Sequence, residues 1–253
     1  MKLFSVFGDM NASINPLNGI TCALTDFSKS ISRVVSELNE SVLLIGEVLV
    51  EVFEPFMVAE KLGETQYVYW DYPDSDFCDL VLSTKNINKL LREYNEDDKY
   101  RTVDRVVKLC GNYILLNPYK KIYTQSIQAY CEKKNELAVV GFLTIIDGLL
   151  TDSSGDNTTR IDRRAKAIMG RVENNESLTA DEIELIMLLL TIQKTVEALS
   201  SHSVFSEKEP KNLNRHWIMH GRSRRRKTKL DCVKLIYLIY GILLINDYAE
   251  ADV

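Results

Sequence analysis

The residues of this chain best suited to chemistry gather in one run, Asn212 to Lys229, which reads NLNRHWIMHGRSRRRKTK. It holds His216 and His220 and, with Lys211 just before it, eight basic residues and no acid. Three readings compete for its first half. His216 and His220 lie four apart on one helical face, a spacing that metal-ligating imidazoles use, but the glutamate of an HExxH motif is missing and no acid follows within ten residues. The expectation is therefore no metal and no other cofactor. A histidine near a helix end also commonly caps carbonyl groups and an arginine commonly lies on the surface, so a charged hairpin between two core helices is the plain structural alternative. The third reading is phosphodiester chemistry on RNA. Cleaving RNA without a metal needs a group that takes the proton of the ribose 2′-hydroxyl or gives one to the leaving oxygen, and a cation that stabilises charge on the phosphate.

Histidine fits the first role because its ordinary pKa lies near neutrality, and arginine fits the second through its planar fork of donors. Arg215 and His220 are five positions apart, which on a helix separates them by about 140° and a rise of about 7.5 Å. They cannot converge on one atom from a flat face. They can line two sides of a groove, and a twofold partner supplying the same pair would complete it. His220 precedes Gly221, the expected helix stop, where the negative end of the helix dipole favours a protonated imidazole while the nearby arginines oppose it.

The second half, RSRRRKTK, places Arg222, Arg224, Arg225, Arg226, Lys227 and Lys229 within eight residues. Without a balancing acid such a run repels itself unless an anion visits, which points to RNA backbone contact. The stretch from Lys211 to Lys229 carries +8 in a chain of net charge −5, so the rest of the chain carries −13. One small face attracts anions and the bulk repels them. Trp217 beside Ile218 reads as core more readily than as a base-stacking residue.

The elements that must position these residues read as helices. A hydrophobic content of 45%, with only 11 glycines and 5 prolines, favours a soluble, mostly helical chain with short connections over a sandwich or barrel. Apolar residues at helical spacing predict a long helix from Asp26 to Leu62, kinked at Pro55. The stretch GETQYVYWDYPDSDF, from Gly63 to Phe77, reads as an aromatic plug packing the N-terminal helices. Shorter helices follow over Asn86–Asn95, Lys99–Leu115 and Lys120–Lys133. Asn135–Leu150 is apolar nearly all round apart from Asp147 and belongs at the centre of a bundle. The loop TDSSGDNTT precedes a basic helix over Arg160–Val172. Thr179 and Glu182 form a capping box opening a helix to Leu199, and a closing helix runs from Leu230 to Tyr248.

The amino terminus is too polar for a secretory leader, and the apolar runs VLLIGEVLVEVFEPFMVA and CVKLIYLIYGILLI carry charges or are too short to span a bilayer. Five scattered cysteines with no CxxC pair read as reduced thiols. A cytoplasmic protein without membrane contact is the expectation.

Arg215, four intervening residues and His220 match the Arg-x4-6-His signature of HEPN domains, with the polar His216 directly after the arginine. From about Glu136 to Tyr248 the chain resembles HEPN-domain bacterial proteins in which an acid followed by leucines, here IIDGLL with Asp147, precedes an RAK helix, here Arg164 to Lys166, and an RHxxxHG helix. The resemblance implies an all-α helical bundle with a C-terminal HEPN-like domain, residues 131–253, after a helical region of unknown role, residues 1–130. It implies a homodimer with the motif helices face to face and a metal-independent endoribonuclease leaving a cyclic phosphate, in toxin or antiviral defence, accompanied by an antitoxin or sensor protein. Arg215 and His220 would be catalytic, Asn214, His216 and Asp147 supporting, and the six basic loop residues RNA-binding. The alternative within the same resemblance is a non-catalytic RNA-binding or protein-binding module.

Overall fold

The chain divides into two compact units, Met1–Val48 and Leu49–Val253. A computed structural model describes residues 54–70, 75–155, 160–173, 183–201 and 205–250, all within the second unit. The described residues form helices and no strand: α1 (54–64), α2 (Ser75–Ser83), α3 (Ile87–Asp97), α4 (Arg101–Cys110), a 3-10 turn (Ile114–Tyr119), α5 (Lys120–Cys131), α6 (Asn135–Ser154), α7 (Ile161–Glu173), α8 (Ile183–Leu199), α9 (Arg215–Met219) and α10 (Lys229–Glu250). This is the all-α class read from the sequence. Most of the helix expected over Asp26–Leu62 and the Thr179–Glu182 capping box lie outside the described residues. Helix α2 was not anticipated, because its sequence follows the aromatic stretch without a break in polarity.

Helix α6 sits at the centre. Its neighbours are α5, α7 and α10, and the short α9 also touches it. Ten of its residues are buried, as its nearly uniform apolar sequence requires. It is long and apolar enough to cross a membrane by length and composition, with mean hydropathy 1.5 and 56% of the window buried; the core helix of a compact bundle meets the same test. Two glycines seven apart let neighbours approach closely. A side chain at Gly141 would collide with Ser126 of α5, and one at Gly148 would collide with the ring of Tyr119, so the glycine after Asp147 is a packing requirement. The helix runs four residues beyond its expected end and stops at Gly155, whose φ of 65° is the left-handed conformation that glycine tolerates best.

Helix α10 is the second core element and packs on α4, α6, α7 and α8. It opens on a reciprocal cap: the Asp231 N–H donates to Thr228 Oγ1 at 3.2 Å and the Thr228 N–H donates to Asp231 Oδ2 at 2.7 Å. The aromatic stretch packs on this helix, with Tyr67 edge-on to Tyr237 at 5.3 Å and Trp70 edge-on to Tyr240 at 5.2 Å. The stretch was expected to pack the N-terminal helices together; its described residues Tyr67 and Trp70 pack on the C-terminal helix α10. Lys234, buried in the second turn of α10, donates to the Thr65 carbonyl at 2.5 Å and to Asn88 Oδ1 at 2.6 Å. Burial pulls its pKa down to about 8. Helices on both sides of residue 130 belong to one packed unit, since α5 lies against α6 and α4 against α10.

Replacing Gly148 with alanine forces the Tyr119 ring to move and should cost about 1–3 kcal/mol of stability. Gly170, where an added methyl meets open space, supplies the control, and Gly170→Ala should be neutral or slightly stabilising. Urea unfolding of both variants tests the close approach; equal stabilities would refute it.

Candidate functional site

The site helix α9 has only five residues and depends on its surroundings for its position. Gln66, almost fully buried, donates from Nε2 to the Leu213 carbonyl at 2.6 Å and accepts the Leu213 N–H on Oε1 at 2.9 Å, pinning the chain just before the helix. Asn214 is the N-cap: its Oδ1 accepts the Trp217 N–H at 3.2 Å, and its Nδ2 donates to the Ser201 carbonyl at 2.9 Å. Trp217 and Ile218 are buried and anchor the helix from below. Gly221 takes φ 65° and ends it, and the N–H groups of Arg222 and Ser223 return to the Trp217 carbonyl at 2.8 and 3.0 Å. Trp217 is core and Gly221 is the stop, as expected. Asn214 supports the site by shaping the backbone.

Arg215 reaches away from the basic loop to α6. Its Nη2 donates to Asp147 Oδ2 at 2.9 Å, while Arg164 of α7 donates from Nη1 to Asp147 Oδ1 at 3.2 Å. One carboxylate thus joins α6, α7 and α9. The side chain of Arg164 is 8% exposed, that of Asp147 31% and that of Arg215 26%, so the charge on Arg164 depends most on its partner. Two guanidinium groups against one carboxylate leave a net positive charge. Among the described residues the Nε–H groups of both arginines are buried without a hydrogen-bond partner, so the cluster keeps donor capacity that its own carboxylate does not use.

His220 lies on the other side. Its ring stands edge-on to His216 at 4.6 Å and to Phe205 at 5.8 Å, and His216 stacks flat on Phe205 at 4.5 Å with an interplanar angle of 5°. Both histidines are exposed. Arg215 and His220 therefore diverge as helical geometry demands, one on the α6 acid and one on an aromatic surface patch. Among the described residues no group of three or more histidine, cysteine, aspartate or glutamate side chains gathers in a way that would hold a metal ion.

The basic loop is partly committed to the fold. Arg225 forms a two-pronged pair with Asp231, Nη1 to Oδ2 at 3.0 Å and Nη2 to Oδ1 at 3.1 Å. Lys227 is buried, donating to the Arg225 carbonyl at 2.7 Å and to the Ser223 hydroxyl. The ammonium of Lys229 lies 3.1 Å from the centre of the Tyr100 ring. Glu209 closes the turn: its carboxylate accepts the N–H groups of Arg224 and Arg225 at 2.7 and 3.1 Å and the Ser223 hydroxyl. The run that lacks an acid in sequence is partly neutralised by two carboxylates in space. Arg222, Arg224 and Arg226 stay exposed, and Arg222 lies 5.4 Å from the centre of the Phe205 ring.

Of the residues selected from sequence, Arg215 and Asp147 come together, His216 and His220 come together, and the six loop cations divide into two drawn into the fold, Arg225 and Lys227, and four that are exposed, Arg222, Arg224, Arg226 and Lys229. Sequence reasoning missed Glu209, Gln66 and Phe205, which lie remote in the chain from the groups they meet. It also missed Asp231, although the threonine three residues before it was a readable capping signal. Compared with family descriptions, curated proteins and solved structures, the chain matches none.

The two loop carboxylates make the loop acid-sensitive. Burial works to raise the pKa of each, but Arg225 and the Thr228 donors hold Asp231 below the usual carboxylate range, and Ser223 with the backbone N–H groups does the same for Glu209. A pKa lowered on folding contributes stability that is present above the ordinary carboxylate values and is lost as pH falls through the folded ones. Thermal stability should therefore decline below about pH 4. Asp231→Asn should lose about 3 kcal/mol at neutral pH by leaving Arg225 without its carboxylate, and should flatten the acid decline. A variant with the wild-type melting temperature and acid profile would remove this pair from the account.

Proposed function

We propose that the chain is a metal-independent endoribonuclease that works as a homodimer in the cytoplasm, in toxin or antiviral defence, as its resemblance to HEPN domains implies. The observation that carries the reading is the division of the basic loop: the fold draws in Arg225 and Lys227 and leaves Arg222, Arg224, Arg226 and Lys229 exposed, on the segment that directly follows His216 and His220. A surface that presents imidazoles and uncommitted guanidiniums together suits a phosphodiester better than a neutral ligand. In this chemistry one imidazole takes the 2′-hydroxyl proton and the 2′-oxygen bonds to phosphorus. The bond to the 5′-oxygen then breaks and that oxygen receives a proton, leaving a 2′,3′-cyclic phosphate and a 5′-hydroxyl. Arg215 binds the scissile phosphate and His220 moves the proton.

Since Arg215 and His220 diverge within one chain, a shared cleft requires a second copy. Leu137 and Val140 on α6 support that requirement, being 65% and 42% exposed at helical spacing from Asp147, on the face that leads to it. A second reading, an RNA-binding module without cleavage, is favoured by the bond from Arg215 to Asp147, which partly neutralises the phosphate-binding charge before RNA arrives.

RNA cleavage in EDTA separates the two. Arg215→Ala and His220→Ala should each lower the rate by at least about 10²-fold, at unchanged melting temperature for His220→Ala, and should relieve growth arrest on overexpression. Full cleavage by either purified variant would sink the catalytic assignment; wild-type binding without cleavage would leave the binding module. Independently, Arg224→Gln with Arg226→Gln should weaken RNA binding and reduce the slope of log affinity against log salt by about 2. An unchanged slope would take the loop out of the interface.

A further inference from the structure

The four-ring cluster around Phe205 has an arrangement that packing alone does not require. Trp217 is buried and meets Phe205 edge-on at 5.3 Å, which suffices to hold the Phe205 ring in place. Above this anchor the remaining groups are solvent-facing: Phe205 is 36% exposed, and His216, His220 and Arg222 are all exposed. His216 lies flat on Phe205 at 4.5 Å, and the Arg222 guanidinium carbon is 5.4 Å from the same ring centre. Three flat, stackable groups, one imidazole, one phenyl and one guanidinium, thus share one patch. An apolar ring left a third exposed among cations gains more from a flat, electron-rich partner than from water.

Resting on the RNA reading above, we infer that Phe205, His216 and Arg222 form a stacking subsite for one unpaired nucleobase. Nucleobases stack on aromatic side chains and on arginine planes, and only a base released from pairing presents its face. Arg224 and Arg226, exposed in the loop that follows, carry the charge to hold the adjoining phosphates. The subsite makes Phe205 a residue that positions the chain of the nucleic acid, distinct from Arg215 and His220 in the chemistry. It also explains why an aromatic residue with no place in the α9 sequence pattern lies against both histidines.

The test uses the full chain and a single-stranded 2′-deoxy oligonucleotide, which cannot be cleaved through a 2′-oxygen. With 2-aminopurine placed in turn at each position, one position should show quenched fluorescence on binding to the wild-type protein. An abasic nucleotide at that position should weaken binding about tenfold or more. Phe205→Ala should cause a similar loss and Phe205→Trp should restore affinity, while Arg222→Gln should weaken binding without altering the fold. No quenched position, or an abasic probe that binds as tightly as its parent, overturns the subsite whatever the variants do. The outcomes are separable from those for catalysis: a Phe205-dependent affinity in a protein that cleaves nothing retains the subsite and rejects the nuclease, whereas Arg215-dependent cleavage with Phe205-independent binding does the reverse.

Discussion

The carboxylate of Asp147 is the point on which the site depends. It stands on the central helix of the bundle and receives Arg164 from α7 and Arg215 from α9. A charge in this position is costly to bury alone, and so is the nearly enclosed guanidinium of Arg164. Paired, they convert an apolar core into a junction that fixes three helices in register. Helix α9 is too short to hold its own conformation, so its placement is borrowed from this junction, from the Gln66 grip on Leu213 and from the Asn214 cap. Gly148 belongs to the same arrangement, since a larger residue next to the acid would push Tyr119 away from α6.

The second constraint is the self-repulsion of the basic loop. Six cations in eight residues are held in a defined conformation only because Glu209 and Asp231 bind its backbone and one of its guanidiniums. Neutralisation is partial and directional. Arg225 and Lys227 face the carboxylates and main chain of the fold, Lys229 lies over the Tyr100 ring while staying exposed, and Arg222, Arg224 and Arg226 are displayed on the loop that this pairing holds. Rigid display lowers the entropy lost when an anion binds, so the same acids that remove charge from the interface improve the use of what remains.

Much of the architecture was legible because the helices are long and periodic: α5, α6, α7 and α10 lie close to where apolar spacing put them. The stop at Gly221 and the buried Trp217 followed from local chemistry. What escaped was everything set by contacts remote in sequence. Glu209 lies 14 residues from Ser223, Gln66 lies 147 from Leu213 and Asp147 lies 68 from Arg215; no local pattern encodes such pairings, and Asp147 was found through a resemblance. Composition could count the loop cations but could not sort them, because whether an arginine is free depends on which carboxylate the fold carries to it.

Sorting the cations also changes how the histidines are read. In sequence, His216 and His220 are two imidazoles on one helical face beside a field of positive charge. In the fold they belong to an aromatic patch with Phe205, whose ring also lies 5.4 Å from the Arg222 guanidinium carbon, while Arg215 is held on Asp147. On the ribonuclease reading, phosphate binding and proton transfer would then fall to two side chains that one short helix commits to different partners, Arg215 to Asp147 and His220 to the ring patch. On the same reading, cleavage would draw on two copies of α9, since a separation of five residues sets the two side chains about 140° apart around the helix.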